Sequence, residues 1–254
     1  MTQKISRLML LVVGFFLVCL LLLSTNSMAT GSGAVSGRAK GLITTVKDSA
    51  NSGDTVNQTI ADTGELPSGG GQRSTSLANV NRNLMDLGTV SASVFDVFTK
   101  GSVGSIGGTS FSQATTVELD LNASLQLNNA SIPVSISADE IDARANAQCK
   151  TRGNPPSRFG STTISSLVLY INGIKVPIGP VTTQPNQKIN LRDFAPKLPQ
   201  GVDATLILNE QTKSSSGRTG SITVNALRLF ATAGTQTVNL IISQARAGAT
   251  CASF

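Results

Sequence analysis

From Val117 to Leu127 apolar and polar residues alternate without a break: Val117, Leu119, Leu121, Ala123, Leu125 and Leu127 against Glu118, Asp120, Asn122, Ser124 and Gln126. A period of two puts all six apolar side chains on one side of an extended strand. After the turn signal Asn128-Asn129, the residues Ile132, Val134, Ile136 and Ala138 continue the pattern, and Ile141, Ala143, Ala145, Ala147 and Cys149 take it up again. Cys149 therefore stands at an inward-facing strand end. In LVLYINGIKVPIG, residues 167–179, Asn172-Gly173 divides two β-branched runs and predicts a tight hairpin, because both turn positions adopt positive φ readily. Pro177 marks the second run as short or as an edge strand. Further strands are predicted at about 34–45, 187–191, 204–209, 221–231 and 237–247. Regular short strands divided by turns define an all-β chain, an antiparallel β-sandwich-like or related multi-strand architecture with at most one short helix beyond the N-terminal apolar segment.

The remaining stretches are less regular. Residues 46–76, with NSGD and DTGELPSGGG and few apolar positions, predict a long surface loop. Leu77, Val80, Leu84 and Leu87 fit helical spacing, whereas Val90, Ala92, Val94 and Phe98 alternate, so a short helix to about Leu87 and then a strand to about Phe98 are expected. GSVGSIGG, residues 101–108, reads as a flexible connection, with glycines at every third position rather than at the spacing of a dinucleotide loop.

The first thirty residues modify this picture. Lys4 and Arg7 precede an uninterrupted apolar run from Leu8 to Leu23, and Ser27-Met28-Ala29 supplies small residues for a cut after Ala29. This order reads as a secretory signal over residues 1–29, the alternative being an uncleaved anchor in which residues 8–23 alone meet the membrane. Residues 30–254 then form one β-rich extracellular domain. Removing Lys4 and Arg7 from 20 bases against 14 acids leaves a mild excess of +4, dispersed rather than clustered, which is no nucleic-acid footprint.

No histidine occurs, so triads of Ser, His and Asp, pairs of Cys and His, and His-ligated zinc are excluded together. No cofactor-binding pattern is present either. Asp139, Glu140 and Asp142 are the best candidates for oxygen ligands to calcium, although they lack a glycine-pivoted loop and a solvated turn explains them as well. A carboxylate pair for glycoside hydrolysis could be drawn from Glu118, Asp120, Glu140 or Glu210, with spatial separation the deciding quantity. LILNEQT, residues 206–212, reads either as a polar recognition patch or as a strand end where Asn209 and Gln211 bond neighbouring backbone.

Beyond the leader two cysteines remain, Cys149 and Cys251. Export would place them where thiols oxidise, and an even count reads as one bridge. Closing a loop of 102 residues is worth about 4–5 kcal/mol in the chain-entropy account.

SGRAKGLI, ANAQC, SSLVLYINGIKVPI, LNEQT, SITVNALRLF and ARAGATC follow in the order seen in the bacterial choice-of-anchor P proteins, which the chain resembles over most of its length past the leader. The resemblance implies an exported surface or matrix protein of β architecture, with no catalytic signature among these motifs. Ala252, Ser253 and Phe254 after Cys251 carry none of that family's sorting signals, so a soluble secreted form or retention through the N-terminal segment is expected. The expected activity is non-catalytic contact with cell-wall or matrix polymers or surface proteins; a carbohydrate-binding module, with Tyr170 as its aromatic platform, and a carboxylate-dependent hydrolase are the alternatives.

Overall fold

The structure is a computed structural model that describes residues 33–48, 54–84, 88–127, 130–179, 181, 183–193, 201–233 and 235–254. The leader, residues 1–29, and the Asn128-Asn129 turn lie outside the described residues. Thirteen strands follow in chain order: β1 Ala34–Asp48, β2 Asp54–Asp62, β3 Gly70–Asn83, β4 Gly88–Gly104, β5 Gly107–Leu127, β6 Ala130–Gln148, β7 Ser157–Ser165, β8 Val168–Ile171, β9 Ile174–Lys175, β10 Gln187–Asn190, β11 Val202–Ser216, β12 Thr219–Ala233 and β13 Gln236–Thr250. A 3-10 turn at Leu191–Asp193 is the one helical element among the described residues. No helix among them is long and apolar enough to cross a membrane.

All pairing is antiparallel. One sheet, A, has the order β10-β11-β12-β13-β1-β2, and the other, B, has β3-β4-β5-β6-β8-β9 with β7 also on β6. The two sheets stack face to face over a common core that draws on both, which is the sandwich expected from the alternation. The Asn172-Gly173 turn between β8 and β9 has φ of 52° and 75°, the positive pair its sequence called for.

Three local expectations are corrected. Residues 46–76 are not one long loop: the end of β1, all of β2 and the start of β3 lie among them, joined between β2 and β3 by residues 63–69, with residues 49–53 outside the described residues. The predicted helix at 77–87 is strand to Asn83, an edge strand in which Val80 is buried while Leu77 and most other positions are exposed; residues 85–87 lie outside the described residues. Residues 101–108 form no flexible link but the β4–β5 hairpin, with only Ser105 and Ile106 outside the ladder.

The alternation itself slips once in each long strand. In β6 the buried set Ile132, Val134, Ile136 and Ala138 changes phase to Ile141, Ala143, Ala145 and Ala147; in β5 Ser110, Ser112, Ala114 and Thr116 give way to Leu119 and Leu121; in β13 Val238, Leu240 and Ile242 give way to Ala245, Ala247 and Ala249. Val117 therefore does not share a face with Leu119 and Leu121 as the sequence suggested. Pairing keeps its register through the slip, but one opposed pair is missing at each step: Asn209 and Ala226, Ala226 and Ser243, Ser243 and Gly41, and Gly41 and Ala61 in sheet A. In sheet B one pair is missing at Asn79 with Ser93 and at Glu118 with Asp139, and two between β4 and β5, Ala92 with Leu119 and Ser93 with Glu118.

Every second strand crosses this row with a residue in the left-handed region: Asn209 at 53°, Ser243 at 55° and Ala61 at 54° in sheet A, Asn79 at 50° and Glu118 at 49° in sheet B. Such a conformation costs a non-glycine residue about 1–3 kcal/mol and persists only when its surroundings impose it. Repetition across neighbouring strands turns the local kink into a crease that crosses each sheet. The crease divides the core into a half filled by Leu, Ile and Val and a half in which Ala, Gly, Ser and Thr predominate around Phe95, Val97, Ile141, Ile222 and Val224.

Candidate functional site

The crease shapes the outer face of sheet A into a trough. Beside the missing row, Glu210, Asn225, Gln244, Lys40 and Asp62 stand directly opposite one another on β11, β12, β13, β1 and β2. Five strands at their usual spacing of about 4.8 Å carry this ladder over about 19 Å. Asn225 donates to Glu210 Oε2 at 2.6 Å, and Gln244 donates to Asn225 Oδ1 at 2.9 Å. From the other side of the crease Arg228 donates through Nη1 to Glu210 Oε1 at 2.8 Å and through Nε to Asn239 Oδ1 at 2.7 Å, its guanidinium 5.5 Å from the Phe230 ring centre. Outward-facing Asn225 and Ile241 keep only 8% and 7% of their exposure, as a concave surface requires.

At the β10–β12 end the trough opens into a cavity of about 650 Å³ between Lys188, Thr205, Ile207, Thr212, Glu210 and Phe230. At the β1–β2 end the ladder becomes charged. Arg38 donates to Asp62 through Nε at 2.8 Å and pairs with its second oxygen through Nη2, while Arg38 and Arg246 both reach Glu65. Burial pushes the Asp62 carboxyl up, but the Arg38 hydrogen bond, the Gly64 N–H and the charges of Arg38 and Lys40 outweigh it and hold Asp62 below the usual carboxylate range. Burial, helped by the charge of Arg38, lowers the Lys40 ammonium below the ordinary lysine value.

LNEQT lies at this crease, in the middle of β11 and not at a strand end. Asn209 donates to Thr183 O at 2.9 Å and Gln211 to Gly160 O at 3.0 Å, which secures backbone, whereas Glu210 anchors the polar ladder. Lys188, Asn225, Arg228, Phe230 and Gln244 were not singled out by sequence reasoning. For Asn225, Arg228 and Phe230 a signal was available in SITVNALRLF, where the apolar alternation Ile222, Val224 slips to Leu227, Leu229 around Asn225.

The acidic trio runs along β6 and is not a turn. Asp139 is exposed and accepts from Ser166, Glu140 is half-buried, and Asp142 is buried under Gln113 Nε2 at 2.8 Å, Thr115 Oγ1 at 2.7 Å and Arg144 Nε at 2.7 Å. With three donors on Asp142, the trio is not assembled around a shared cation, and among the described residues no group of three or more acidic, His or Cys side chains could hold a metal ion. Glu118, Asp120 and Glu140 belong to sheet B and Glu210 to the outer face of sheet A, so the sandwich separates Glu210 from the other three. Tyr170 lies on β8 in sheet B, away from the trough.

Cys149 and Cys251 are joined, with Cα atoms 5.4 Å apart, just past the ends of β6 and β13. The bridge links the two sheets at the Ala/Gly/Ser end. Gly107, at φ +125°, lies against it: a Cβ there would sit 2.6 Å from Cys251 Cα and 2.8 Å from Cys149 Sγ. Cys149 N–H donates to Gly108 O at 3.0 Å and Ala252 N–H to Ile106 O at 3.1 Å, so the β4–β5 hairpin holds both cysteines. The chain matches no protein-family model, no curated protein and no solved structure.

Proposed function

We propose that this chain is an exported, non-catalytic β protein that acts by contact at the cell surface or in the extracellular matrix, with the trough of sheet A as its contact surface. The observation that carries the reading is the ladder Glu210–Asn225–Gln244–Lys40–Asp62, a row of amides and charges held in a concave sheet face. Supporting it, the more buried carboxylates are committed to donors: Glu210 to Asn225 and Arg228, Asp142 to Gln113, Thr115 and Arg144. A general acid or base needs a carboxyl within reach of substrate and free to exchange its proton. The Cys149–Cys251 bridge suits an oxidising compartment, and the order of motifs resembling choice-of-anchor P proteins points the same way. The partners of this reading are wall or matrix polymers or other surface proteins.

Cell fractionation combined with intact mass, with and without reduction, tests it. The protein should be recovered outside the cytoplasm, shortened at its N-terminus or held by residues 8–23, with no free thiol beyond the leader. Recovery in the cytoplasm with both thiols free would remove the reading.

A further inference from the structure

We propose that the trough binds an acidic polysaccharide lying across the strands, with Lys188 taking a sugar carboxylate. The proposal rests on the contact reading above and names the ligand class of the same site. The direction of the trough narrows the ligand first. An extended peptide is usually captured at a sheet edge, where it runs alongside a strand and bonds free backbone groups. The trough instead crosses β11, β12, β13 and β1, each paired with a neighbour on both sides. Recognition must therefore come from side chains, over a length that suits a chain of repeating polar units.

The lining narrows it further. Gln244 offers an amide, Thr205 and Thr212 hydroxyls, and Ile207 a small apolar surface, the mixture that matches hydroxyls alternating with C–H faces. Neutral sugars are commonly held by stacking on open aromatic rings, but the chain has no Trp, and Phe230 already lies beneath the Arg228 guanidinium. Charge takes the place of stacking. Arg228 is neutralised by Glu210 at 2.8 Å, whereas Lys188 is exposed and carries no ion pair among the described residues, so the open end of the trough is left with one surplus positive charge. A carboxylate on the polymer supplies the missing partner, and Gln244 with the Thr205 and Thr212 hydroxyls supplies the contacts that fix its direction.

The test uses the disulfide-bonded protein and two immobilised polymers with one backbone, polygalacturonate and its fully methyl-esterified form. Binding to polygalacturonate is expected, with esterification and Lys188→Ala each weakening it by about tenfold, the size of a lost charged contact. Lys188→Arg should retain binding. Lys100→Ala removes a cation from the outer face of sheet B, near Phe98 and Phe111, and should change affinity by less than about twofold. Unchanged thermal midpoints in these surface variants would show that folding is not being read. Equal binding to both polymers, an unaffected Lys188→Ala, an equal loss in Lys100→Ala, or no binding at all would overturn the proposal. An extracytoplasmic location in the fractionation experiment would leave the contact reading standing in each of those cases.

Discussion

On one side of the crease the sheets hold Leu121, Ile136, Leu169, Leu206, Leu229 and Ile242 between them; on the other they hold Ala143, Ala145, Ala147, Ala245, Ala247 and Ser112. The large side chains keep the sheets apart and stabilise through the area they remove from water, about 1.5–3 kcal/mol for each fully buried residue. The small ones bury little, so between Phe95, Val97, Ile141, Ile222 and Val224 their half relies also on close approach of the backbones. Ser110 Oγ donates to Ser36 O at 2.7 Å and Ser112 Oγ to Arg246 O at 2.6 Å, from sheet B to the main chain of sheet A. A serine reaches no further than its γ-oxygen, so these bonds bring the backbones well inside the customary spacing of about 10 Å. Thr116 and Ser243 share a hydrogen bond at the crease, and Ser243 also donates to Ile141 O. Such contacts replace water rather than add apolar burial, and their net worth is about 1 kcal/mol each. The disulfide lies in the half that most needs a covalent constraint.

Breaking that constraint should have the largest effect. Cys149→Ser with Cys251→Ser opens the 102-residue loop and is expected to cost about 4 kcal/mol, read as a lower midpoint in urea against the oxidised protein. A loss below about 1 kcal/mol would mean that the small-residue half is self-supporting. Next comes a pair that sharpens the contrast. Leu206→Ala, at a fully buried site in the large-residue half, should cost about 3 kcal/mol through lost burial and a cavity. Gly108→Ala should also destabilise, by about 2 kcal/mol, although it adds a methyl group, because that carbon would sit 2.3 Å from Ala34 O. A stabilising Gly108→Ala, by the same urea titration, would show that the sheets are not in close contact there.

The crease and its two halves were partly legible in the sequence. Strand alternation was plain wherever Leu, Val or Ile occupied the inner positions, and it located most of the long strands. Where the inner positions are Gly37, Ser110, Ser112 or Thr99, hydrophobicity carries no signal, because a Ser bonded across the core is as buried as a Leu. The same blindness made 46–76 look like a loop: β2 and β3 lie at sheet edges, where most side chains face water. Polar residues with Arg73 and Arg82 on β3 are what a solvent-facing edge requires. The slip of phase, visible between Ala138 and Ile141 in sheet B and between Val224 and Leu227 in sheet A, was the trace of the crease and its trough. Its ladder joins five strands that are far apart in sequence, and no single segment contains it.

The smallest expected effect is electrostatic and belongs to the β1–β2 end of the trough. The Asp62 carboxyl lies below its unfolded value of about 3.9, so between the two values the folded chain binds fewer protons than the unfolded chain. Its contribution to stability is therefore complete above that value and is lost as pH falls through the folded one. Arg38→Met should remove most of this dependence in urea titrations from about pH 5 downward, while leaving the response of Leu206→Ala unchanged. An unaltered acid limb would show that the Arg38–Asp62 pair does not contribute.

Native-state amide hydrogen exchange of the oxidised and reduced protein tests the two-part core most directly. Reduction should lower protection in Ser110–Thr116, Ile141–Ala147 and Ala245–Ala249, while the amides of Leu121, Ile136, Leu206 and Leu229 stay largely protected. Equal loss on both sides of the crease, or none on either, would contradict the division.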